Sequence, residues 1–367
     1  MTIYLVGAFL LSFVCGMIFT PIILKFCKKK GIYDLPNERK VHKNAIPRMG
    51  GLSFFPSMMV AFVVMLLFYS YYHKNNLEVN VWSASFLIGL TIIYFTGIVD
   101  DLIGLTAKTK FIVQIATACL LPMTGLYINN LYGLFGVHEV PAYVGFMMTI
   151  IIIVFIDNAI NMIDGIDGLS ASLSIIALVG FLCYFNHYDV FTQTYSLLIA
   201  GMTGALVAYL YFNLFGKPEK NTKIFMGDSG SLSLGFTIGF LAIKCCMNNT
   251  AVWPMRPEGM MVPITLLIVP SFDVIRVTIY RVRHHLPVFN ADKNHMHHKM
   301  IQAGLTQHQA LVCIIALALF IVLLNYLLLP HLQCTLVVAA DVVVFSLFIR
   351  YFNQHNKNLN TTESENV

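Results

Sequence analysis

The sequence predicts an all-α protein, a polytopic membrane helix bundle of about eleven transmembrane helices. Two observations lead to this fold class. First, 57% of the 367 residues are hydrophobic and only 11% are charged, a balance outside the range of soluble globular domains. Second, apolar runs long enough to cross a hydrocarbon core of about 30 Å as a helix recur along nearly the whole chain. A closed barrel would show short alternating segments instead.

Eleven apolar runs mark the expected spans. The first, residues 2–24, ends in a lysine cluster and lacks the basic start and small-residue cleavage site of a signal peptide, so we interpret it as a retained span. We expect residues 1–352 to form a single transmembrane domain and the polar segment 353–367 to be a disordered cytoplasmic tail. The remaining spans are expected at 50–71, 82–99, 111–129, 142–160, 169–187, 194–213, 230–248, 259–281, 310–329 and 334–352.

The distribution of lysine and arginine predicts the orientation. Most basic residues follow odd-numbered spans, including Lys28, Lys29 and Lys30 after the first span and Arg281 and Arg283 after the ninth. The opposite side receives only Lys74, Lys244 and Arg256. Because short basic loops stay cytoplasmic, the N-terminus is expected outside and the C-terminus inside. The basic residues that give the net charge of +5 would then face anionic membrane lipid, so this charge requires no nucleic-acid partner.

Polar groups collect in four segments on the same predicted face. A carboxylate at the end of an apolar span is costly unless something uses it, so this clustering is informative. Four such clusters would seldom all avoid the external loops by chance, which indicates a functional site at the cytoplasmic face. The segments are Asp100-Asp101, Asn158 to Gly168, Phe225 to Ser231 and Asp292 to His298.

The first segment closes the third span with two adjacent carboxylates. Asp100 and Asp101 repel each other unless a hard cation or a lysine lies nearby. Lys108 and Lys110 could neutralise the pair or bind phosphate. The structural alternative is a helix end with two solvated aspartates.

The second segment repeats a polar residue every three positions. Asn161, Asp164 and Asp167 would share one side of a helical turn, and oxygen ligands of this kind suit Mg²⁺, which also takes ligands from substrate phosphates. The glycines at 165 and 168 equally permit a plain turn.

The last two segments each have two interpretations. Asp228 precedes an apolar run, so it could cap a helix whose free N–H groups could also bind phosphate. His295, His297 and His298 could bind zinc, but the nearest cysteine is Cys313 and no His-Glu-Xaa-Xaa-His pattern occurs. We interpret the histidines and the basic residues around them as an anion and nucleotide surface, with a basic interfacial loop as the alternative.

These segments together resemble the polyprenyl-phosphate N-acetylhexosamine-1-phosphate transferase family, which includes bacterial undecaprenyl-phosphate GlcNAc-1-phosphate transferases and the phospho-MurNAc-pentapeptide translocase. The resemblance spans residues 34 to 298 in the family's order. Each piece is weak, but the combination is specific. The matching stretches are Asp34 to Lys43, Ile46 to Gly51, Asp100-Asp101, Lys108 to Lys110, Asn158 to Gly168, Phe225 to Ser231 and Asp292 to His298.

The resemblance implies roles for the catalytic and metal-binding residues. Asp228 would be the principal Mg²⁺ ligand, with Asn161 or Asp164 beside the metal, and Mn²⁺ could replace Mg²⁺. Asp100 and Asp101 would line the side of the polyprenyl phosphate, and Lys110 would hold the pyrophosphate. The implied catalytic residues are therefore Asp100, Asp101, Lys110 and Asp228.

The resemblance also implies a donor site. Asp167 and Lys43 would meet the uracil, and Phe225 would stack on it. The His-Xaa-His-His pattern matches the initiating transferases rather than the three consecutive histidines of the translocase, which favours UDP-N-acetylglucosamine over UDP-MurNAc-pentapeptide. The implied substrate-binding residues are Lys43, Arg48, Asp164, Asp167, Phe225, His295, His297 and His298.

The implied function is Mg²⁺-dependent transfer of N-acetylhexosamine 1-phosphate from a UDP-N-acetylhexosamine to undecaprenyl phosphate, with release of UMP. The catalytic domain would be residues 1–352, embedded in the lipid of a bacterial inner membrane with its site on the cytoplasmic face. The reaction would be the first membrane step of cell-surface polysaccharide synthesis, and the chain could act as a homodimer.

Three alternatives remain. A multi-span transporter could use Asp157 and Asp341 as ion sites, but it predicts an internal twofold repeat, which the sequence lacks. A CDP-alcohol phosphotransferase would carry its aspartates in one compact motif. The third alternative is a phospho-MurNAc-pentapeptide transferase.

Overall fold

The computed structural model describes residues 1–34, 44–73, 80–188, 193–249, 256–287 and 293–365. Its backbone is predominantly helical there, as expected for apolar segments that must pair their own N–H and C=O groups inside a membrane. The helices are α1 (Thr2–Lys30), α2 (Phe54–His73), α3 (Val81–Ile103), α4 (Ala107–Met123), α5 (Ala142–Met162), α6 (Leu169–Tyr188), α7 (Gln193–Leu214), α8 (Asp228–Cys246), α9 (Met261–Arg283), α10 (Met296–Gln302), α11 (Gln307–Leu328) and α12 (Cys334–Glu365).

Two short strands and two 3₁₀ segments accompany the α-helices in the described part of the chain. Strand β1 (Tyr33–Asp34) pairs antiparallel with strand β2 (Ile46–Pro47). Two 3₁₀ segments cover Gly50–Ser53 and Leu134–Gly136. The first of these leads directly into α2.

Among the helices of the described residues, ten, all except α4 and α10, are long and apolar enough to cross a membrane. The span predicted at 111–129 corresponds to α4, which has 17 residues and ends at Met123. It is shorter than predicted because the chain turns at Thr124 and Gly125. Nevertheless, α4 runs back along α3: Lys110 bonds Asp100 at one end, and Trp82 Nε1 donates to the Thr124 carbonyl at the other, at 2.8 Å.

The two ends of α1 mark the opposite ends of the bundle. Tyr4, near the start of α1, packs edge-on against Tyr69 near the end of α2. The last turn of α1 lies at the other end, where Cys27 donates to the Arg48 carbonyl. We call this second end the site face; it is formed by the last turns of α1, α3, α5 and α9 and the first turns of α4 and α8. The membrane side to which the site face points stays a prediction.

Helix α8 is the centre of the bundle. Every residue from Ser229 to Cys246 is buried, and α8 packs mainly on α3 and α5. Small residues allow this close packing: a Cβ added at Gly97 of α3 would overlap the backbone of Ser229. The packing places the first turn of α8 at the middle of the site face.

The last helix is longer than predicted. The sequence predicts disorder from residue 353, but α12 continues as a helix to Glu365. Once a helix has formed in the apolar span, each further residue adds a hydrogen bond without a new nucleation step. The first residues beyond the predicted span also contact α10: Lys299 Nζ donates to Asn353 Oδ1 at 2.7 Å, and Asn356 Nδ2 donates to the Lys299 carbonyl at 3.0 Å.

Candidate active site

A cavity of about 1130 Å³ opens at the site face. This volume is larger than that of most small-molecule sites, which hold about 300–1,000 Å³. All four polar segments found in the sequence reach the cavity. Asp100 lies beside its wall, and Lys43 falls outside the described residues. The predicted residues that line it are Arg48, Asp101, Lys110, Asn161, Asp164, Asp167, Phe225, Asp228, His295, His297 and His298.

Asp101 caps the amino-terminal end of α8. Its Oδ1 accepts the Asp228 N–H at 2.9 Å and its Oδ2 accepts the Ser229 N–H at 3.0 Å. These N–H groups have no partner within the helix, and the carboxylate also faces the positive end of the helix dipole. Gly227, which precedes Asp228, has φ 75°, a conformation that glycine adopts without strain.

This geometry changes the interpretation of Asp101. The family resemblance implies a catalytic role beside the lipid phosphate, yet both carboxylate oxygens are engaged and the residue is only 3% exposed. The N-cap interpretation of the Gly227–Gly230 stretch also needs revision, because the capping carboxylate comes from α3 rather than from Asp228 or Ser229. In the structure, Asp101 positions Asp228.

Asp228 is held by two further side chains. Lys110 Nζ lies 2.8 Å from its Oδ2, and Asn161 Nδ2 donates to its Oδ1 at 2.8 Å. Lys110 also bonds Asp100 Oδ2 at 3.1 Å, so one ammonium group bridges two carboxylates. Asn161 donates in addition to Ser231 Oγ at 2.7 Å. The residues implied as metal and phosphate ligands therefore form one hydrogen-bonded cluster.

The donor set of this cluster fits Mg²⁺. Among the described residues, no group of three His, Cys, Asp or Glu side chains could hold a metal by itself. Mg²⁺ is usually held by one or two carboxylates and completes its coordination with water and substrate phosphates. Asp228 meets this requirement: it lines the cavity, Asn161 lies beside it, and its Oδ2 is 2.8 Å from the ammonium of Lys110, so the carboxylate already faces a positive charge.

Asp164 faces the cavity from the loop between α5 and α6. Burial raises the pKa of Asp164 to about 7, and the charges of Asp228 and Asp167 act in the same direction. A nearby cation would stabilise the ionised form of a carboxyl group in such surroundings. Asp164 thus extends the acidic side of the site.

A second ion pair borders the cavity near Phe225. Lys223 Nζ lies 2.7 Å from Asp167 Oδ2. Buried Asn213 ties the two neighbouring loops together, since its Oδ1 accepts the Gly168 N–H and its Nδ2 donates to the Ile224 carbonyl. The sequence analysis singled out neither Lys223 nor Asn213 for the site; Asn213 lies at the end of the span predicted at 194–213.

The histidine segment is anchored by an aspartate that sequence reasoning missed. Asp273 of α9 is 1% exposed; it lies 2.8 Å from His295 Nδ1 and accepts the Met296 N–H at 3.0 Å. Arg276 donates to the same carboxylate at 2.7 Å. The available signal was a carboxylate inside an apolar span, which is costly unless it is paired.

His297 is buried and faces the loop that carries Gly165. Burial lowers the pKa of His297 to about 3, and His298 acts in the same direction, so the ring is neutral at physiological pH. Neither ring nitrogen has a hydrogen-bond partner among the described residues. A neutral imidazole can donate one hydrogen bond and accept another, which suits a hydroxyl or amide group of a ligand.

One wall of the cavity is apolar and open to the membrane. It continues from Lys110 along α4 and α5 through Phe111, Ile115, Met147 and Ile151. These side chains also lie on the outer surface of the bundle; Met147 and Ile151 are 59% and 60% exposed. The acidic and basic groups of the site are therefore joined directly to the lipid-facing surface.

Comparison with known proteins identifies the family to which this chain belongs. Residues 83–246 match Glycosyl transferase family 4. A protein of Bacillus subtilis (strain 168), named "Probable undecaprenyl-phosphate N-acetylglucosaminyl 1-phosphate transferase", is 32% identical over 321 residues, which cover 87% of this chain and 83% of that protein. Proteins of Escherichia coli (strain K12) and Yersinia pestis, each named "Undecaprenyl-phosphate alpha-N-acetylglucosaminyl 1-phosphate transferase", are 28% and 29% identical and cover 81% and 82% of this chain and 77% and 78% of their own lengths.

The likeness extends over most of this chain and most of each relative, so it includes all four polar segments and the helices that carry them. The chain belongs to this family of membrane-embedded glycosyl-1-phosphate transferases. The family resemblance found in the sequence is therefore confirmed.

Proposed function

We propose that the protein transfers N-acetylglucosamine 1-phosphate from UDP-N-acetylglucosamine to undecaprenyl phosphate and releases UMP. The observation that carries this proposal is the composition of one cavity, in which the Asp100–Lys110–Asp228 cluster meets an apolar wall open to lipid. A nucleotide-sugar and a lipid phosphate can meet only where a polar pocket and the bilayer adjoin. The names of the relatives support the choice of sugar and lipid.

The donor would occupy the polar half of the cavity. Phe225 offers a ring face for the uracil, and Asp167, oriented by Lys223, offers an acceptor for the imide N–H. Arg48 and Lys110 supply positive charge for the diphosphate. The neutral His297 would meet the N-acetyl sugar, together with His298.

The acceptor would enter along α4 and α5. Its prenyl chain would lie against Phe111, Ile115 and Met147, which brings its phosphate to Lys110 and Asp100. A phosphate monoester has a second pKa of about 6, so most of the nucleophile is already dianionic at neutral pH. Asp100 need only orient this phosphate or accept the proton of the remaining monoanion.

Asp228 would hold Mg²⁺ beside the donor diphosphate, with Asn161 or Asp164 next to it. When bound, the ion would neutralise charge on the phosphate oxygens and on the leaving UMP. The protein's own contribution is to fix Asp228, through the Asp101 cap and the Asn161 amide, and to keep the two phosphates aligned for in-line attack.

To test this proposal, the purified protein is incubated with Mg²⁺, UDP-N-acetylglucosamine and undecaprenyl phosphate, and the products are measured. UMP and a sugar-diphospholipid should form in equal amounts, and neither should form without the lipid phosphate or in excess EDTA. UDP-MurNAc-pentapeptide and other UDP-N-acetylhexosamines serve as competing donors. Clear preference for another donor would refute the assignment of the sugar, whereas no UMP with any donor would refute the proposed reaction.

A further inference from the structure

Helix α10 carries His297 and His298 but is only seven residues long. A helix of this length is not stable by itself in water, so contacts with the rest of the protein must hold it. The position of the two histidines against the cavity therefore depends on what holds each end of α10.

Asp273 and Arg276 of α9 hold the first end. Asp273 accepts the N–H of Met296, the first residue of α10, and pairs with the His295 ring. Arg276 bonds both Asp273 and the Asn294 carbonyl. This end is thus fixed to a membrane-spanning helix by a buried ionic group.

The other end is held by α12, just beyond the apolar part of that helix. Lys299 Nζ donates to Asn353 Oδ1 at 2.7 Å, and Asn356 Nδ2 donates to the Lys299 carbonyl at 3.0 Å. The Lys299 carbonyl also accepts the Ala303 N–H at 3.1 Å, so Asn356 bonds the second lone pair of an oxygen that already closes α10. Sequence reasoning placed Lys299 in an anion-binding surface, whereas the structure uses its ammonium group as a tether to α12.

Spacing on α12 shows that the contact is directional. Asn353 and Asn356 are three residues apart and share one face of the helix. Gln354 and His355, between them, point to solvent and are exposed. Buried Phe352 belongs to the same apolar cluster as Met296 and Met300 of α10, so the tether continues a packed interface.

We propose that Asn353 and Asn356 are positioning residues of the donor site: by binding Lys299 they hold α10 so that His297 and His298 face the sugar of the nucleotide donor. This proposal rests on the proposed function. It assigns a role to the polar end of α12, which the sequence predicts to be a disordered tail.

Paired variants test the role. Asn353→Ala with Asn356→Ala removes both hydrogen bonds, and Gln354→Ala with His355→Ala is the matched control on the exposed face of the same turn. The first pair should raise the KM for UDP-N-acetylglucosamine about three- to tenfold, the effect expected from losing one or two hydrogen bonds, and leave kcat nearly unchanged. The control pair should behave as wild type. The single variant Asn353→Asp, with Asn356 unchanged, keeps an acceptor for Lys299 and should have the wild-type KM.

Truncation provides an independent comparison. A chain ending at Phe352 loses both asparagines, whereas a chain ending at Lys357 keeps them. The shorter chain should show the raised KM, and the longer chain should not. Equal KM values for the two chains would overturn the proposal.

Hydrogen exchange of the α10 amides, measured without substrates, separates the tether from the proposed function. Exchange across residues 296–302 should quicken in the Asn353→Ala, Asn356→Ala variant and stay unchanged in the control pair. Faster exchange with an unchanged KM would overturn the donor-site role while leaving the transferase reaction intact. Absence of turnover in the wild type would refute the proposed function itself, and the donor-site role with it.

Discussion

Asp101 and Asp228 lie side by side at the start of α8, but their carboxylates have different partners. Asp228 points into the cavity with Lys110 and Asn161 on its oxygens. Asp101 points at the backbone and accepts two N–H groups of α8. Substitution of each should therefore give a different combination of effects on activity and on stability.

Asp228→Asn should remove nearly all turnover while the protein stays folded. A neutral amide keeps the shape of the side chain but cannot match the charge of a carboxylate on a divalent cation, so we expect kcat to fall at least about 10²-fold, the effect of losing a preorganised electrostatic group. UMP release and thermal unfolding in detergent are the two measurements. Substantial activity in this variant would remove Asp228 from its assigned role.

Asp101→Ala should lower both activity and stability. The variant leaves two helix N–H groups without acceptors, and loss of an N-cap costs about 0.5–2 kcal/mol. We expect a lower unfolding temperature and a reduced kcat, because Asp228 is no longer held in place. An Asp101→Ala protein with wild-type stability and no activity would instead support a direct catalytic role for Asp101.

Phe225→Ala and Asp167→Ala should each raise the KM for the UDP-sugar more than they lower kcat. Their contacts with uracil would exist in both the ground state and the transition state, and stacking on a base is worth about 1–3 kcal/mol. Asp100→Asn is the contrasting variant, since it should lower kcat while UDP-sugar binding, measured by calorimetry, persists. An unchanged KM in Phe225→Ala would place the uracil elsewhere.

At the residue scale, the sequence pointed to many of the polar residues that line the cavity, because carboxylates and histidines are rare in apolar surroundings; their roles stay predictions. It missed Asp273 and Asn213 for a physical reason: each lies inside an apolar helix, and its partners come from distant segments of the chain. It also could not assign Asp101 to the α8 backbone, because that pairing joins residues 127 positions apart.

At the scale of elements, the hydrophobic runs predicted most helix boundaries to within a few residues, since span length follows from bilayer thickness. Besides the short strands and 3₁₀ segments, two helical features were not predicted. Helix α10 is too short and polar to show a membrane pattern, and it exists through its contacts with α9 and α12. The polar end of α12 is helical although its composition indicates disorder.

The 3₁₀ segment before α2 supports the start of α8 by direct backbone contact. The Gly51 N–H donates to the Met226 carbonyl at 2.8 Å, and a Cβ at Gly51 would overlap the backbone of Gly230. Gly51→Ala should therefore displace the first turn of α8, destabilise the fold by about 1–3 kcal/mol as overpacking does, and reduce turnover.

Gly201→Ala is the matched control for Gly51→Ala. Gly201 lies within α7, where an added Cβ would make only ordinary contacts with Met58, and alanine favours helix. Thermal unfolding and UMP release should remain at or above wild-type values in this variant. If both variants behaved alike, the close contact between Gly51 and Gly230 would not matter for the site.

For the whole molecule, the remaining question is which side of the membrane the site face meets. The bundle places the first turn of α1 at one end and the four polar segments at the other, and basic residues follow the same division. Positive charge predicts that the site face is cytoplasmic. The fold by itself carries no such information, because a bundle has the same contacts in either orientation.

Cysteine labelling in whole cells tests this orientation. After the eight native cysteines have been replaced, a cysteine at Gly104 or Lys220 should react only when a reagent can reach the cytoplasm. A cysteine at His138, in the loop between α4 and α5, should react from outside. Outside labelling at Gly104 or Lys220 would reverse the proposed topology and separate the site from a cytoplasmic nucleotide-sugar.

The complete burial of α8 has a consequence for how the protein is made. Among the candidate spans of the described residues, α8 has the lowest mean hydropathy, and it carries Asp228 and Lys244, so it should insert into plain lipid less readily than the other spans. Its two main packing partners, α3 and α5, lie earlier in the chain and therefore leave the ribosome first. Synthesis from the N-terminus thus places α3 and α5 in the membrane before α8 emerges, so α8 can insert against protein and Asp228 at its start need never be exposed to the fatty-acid interior of the bilayer.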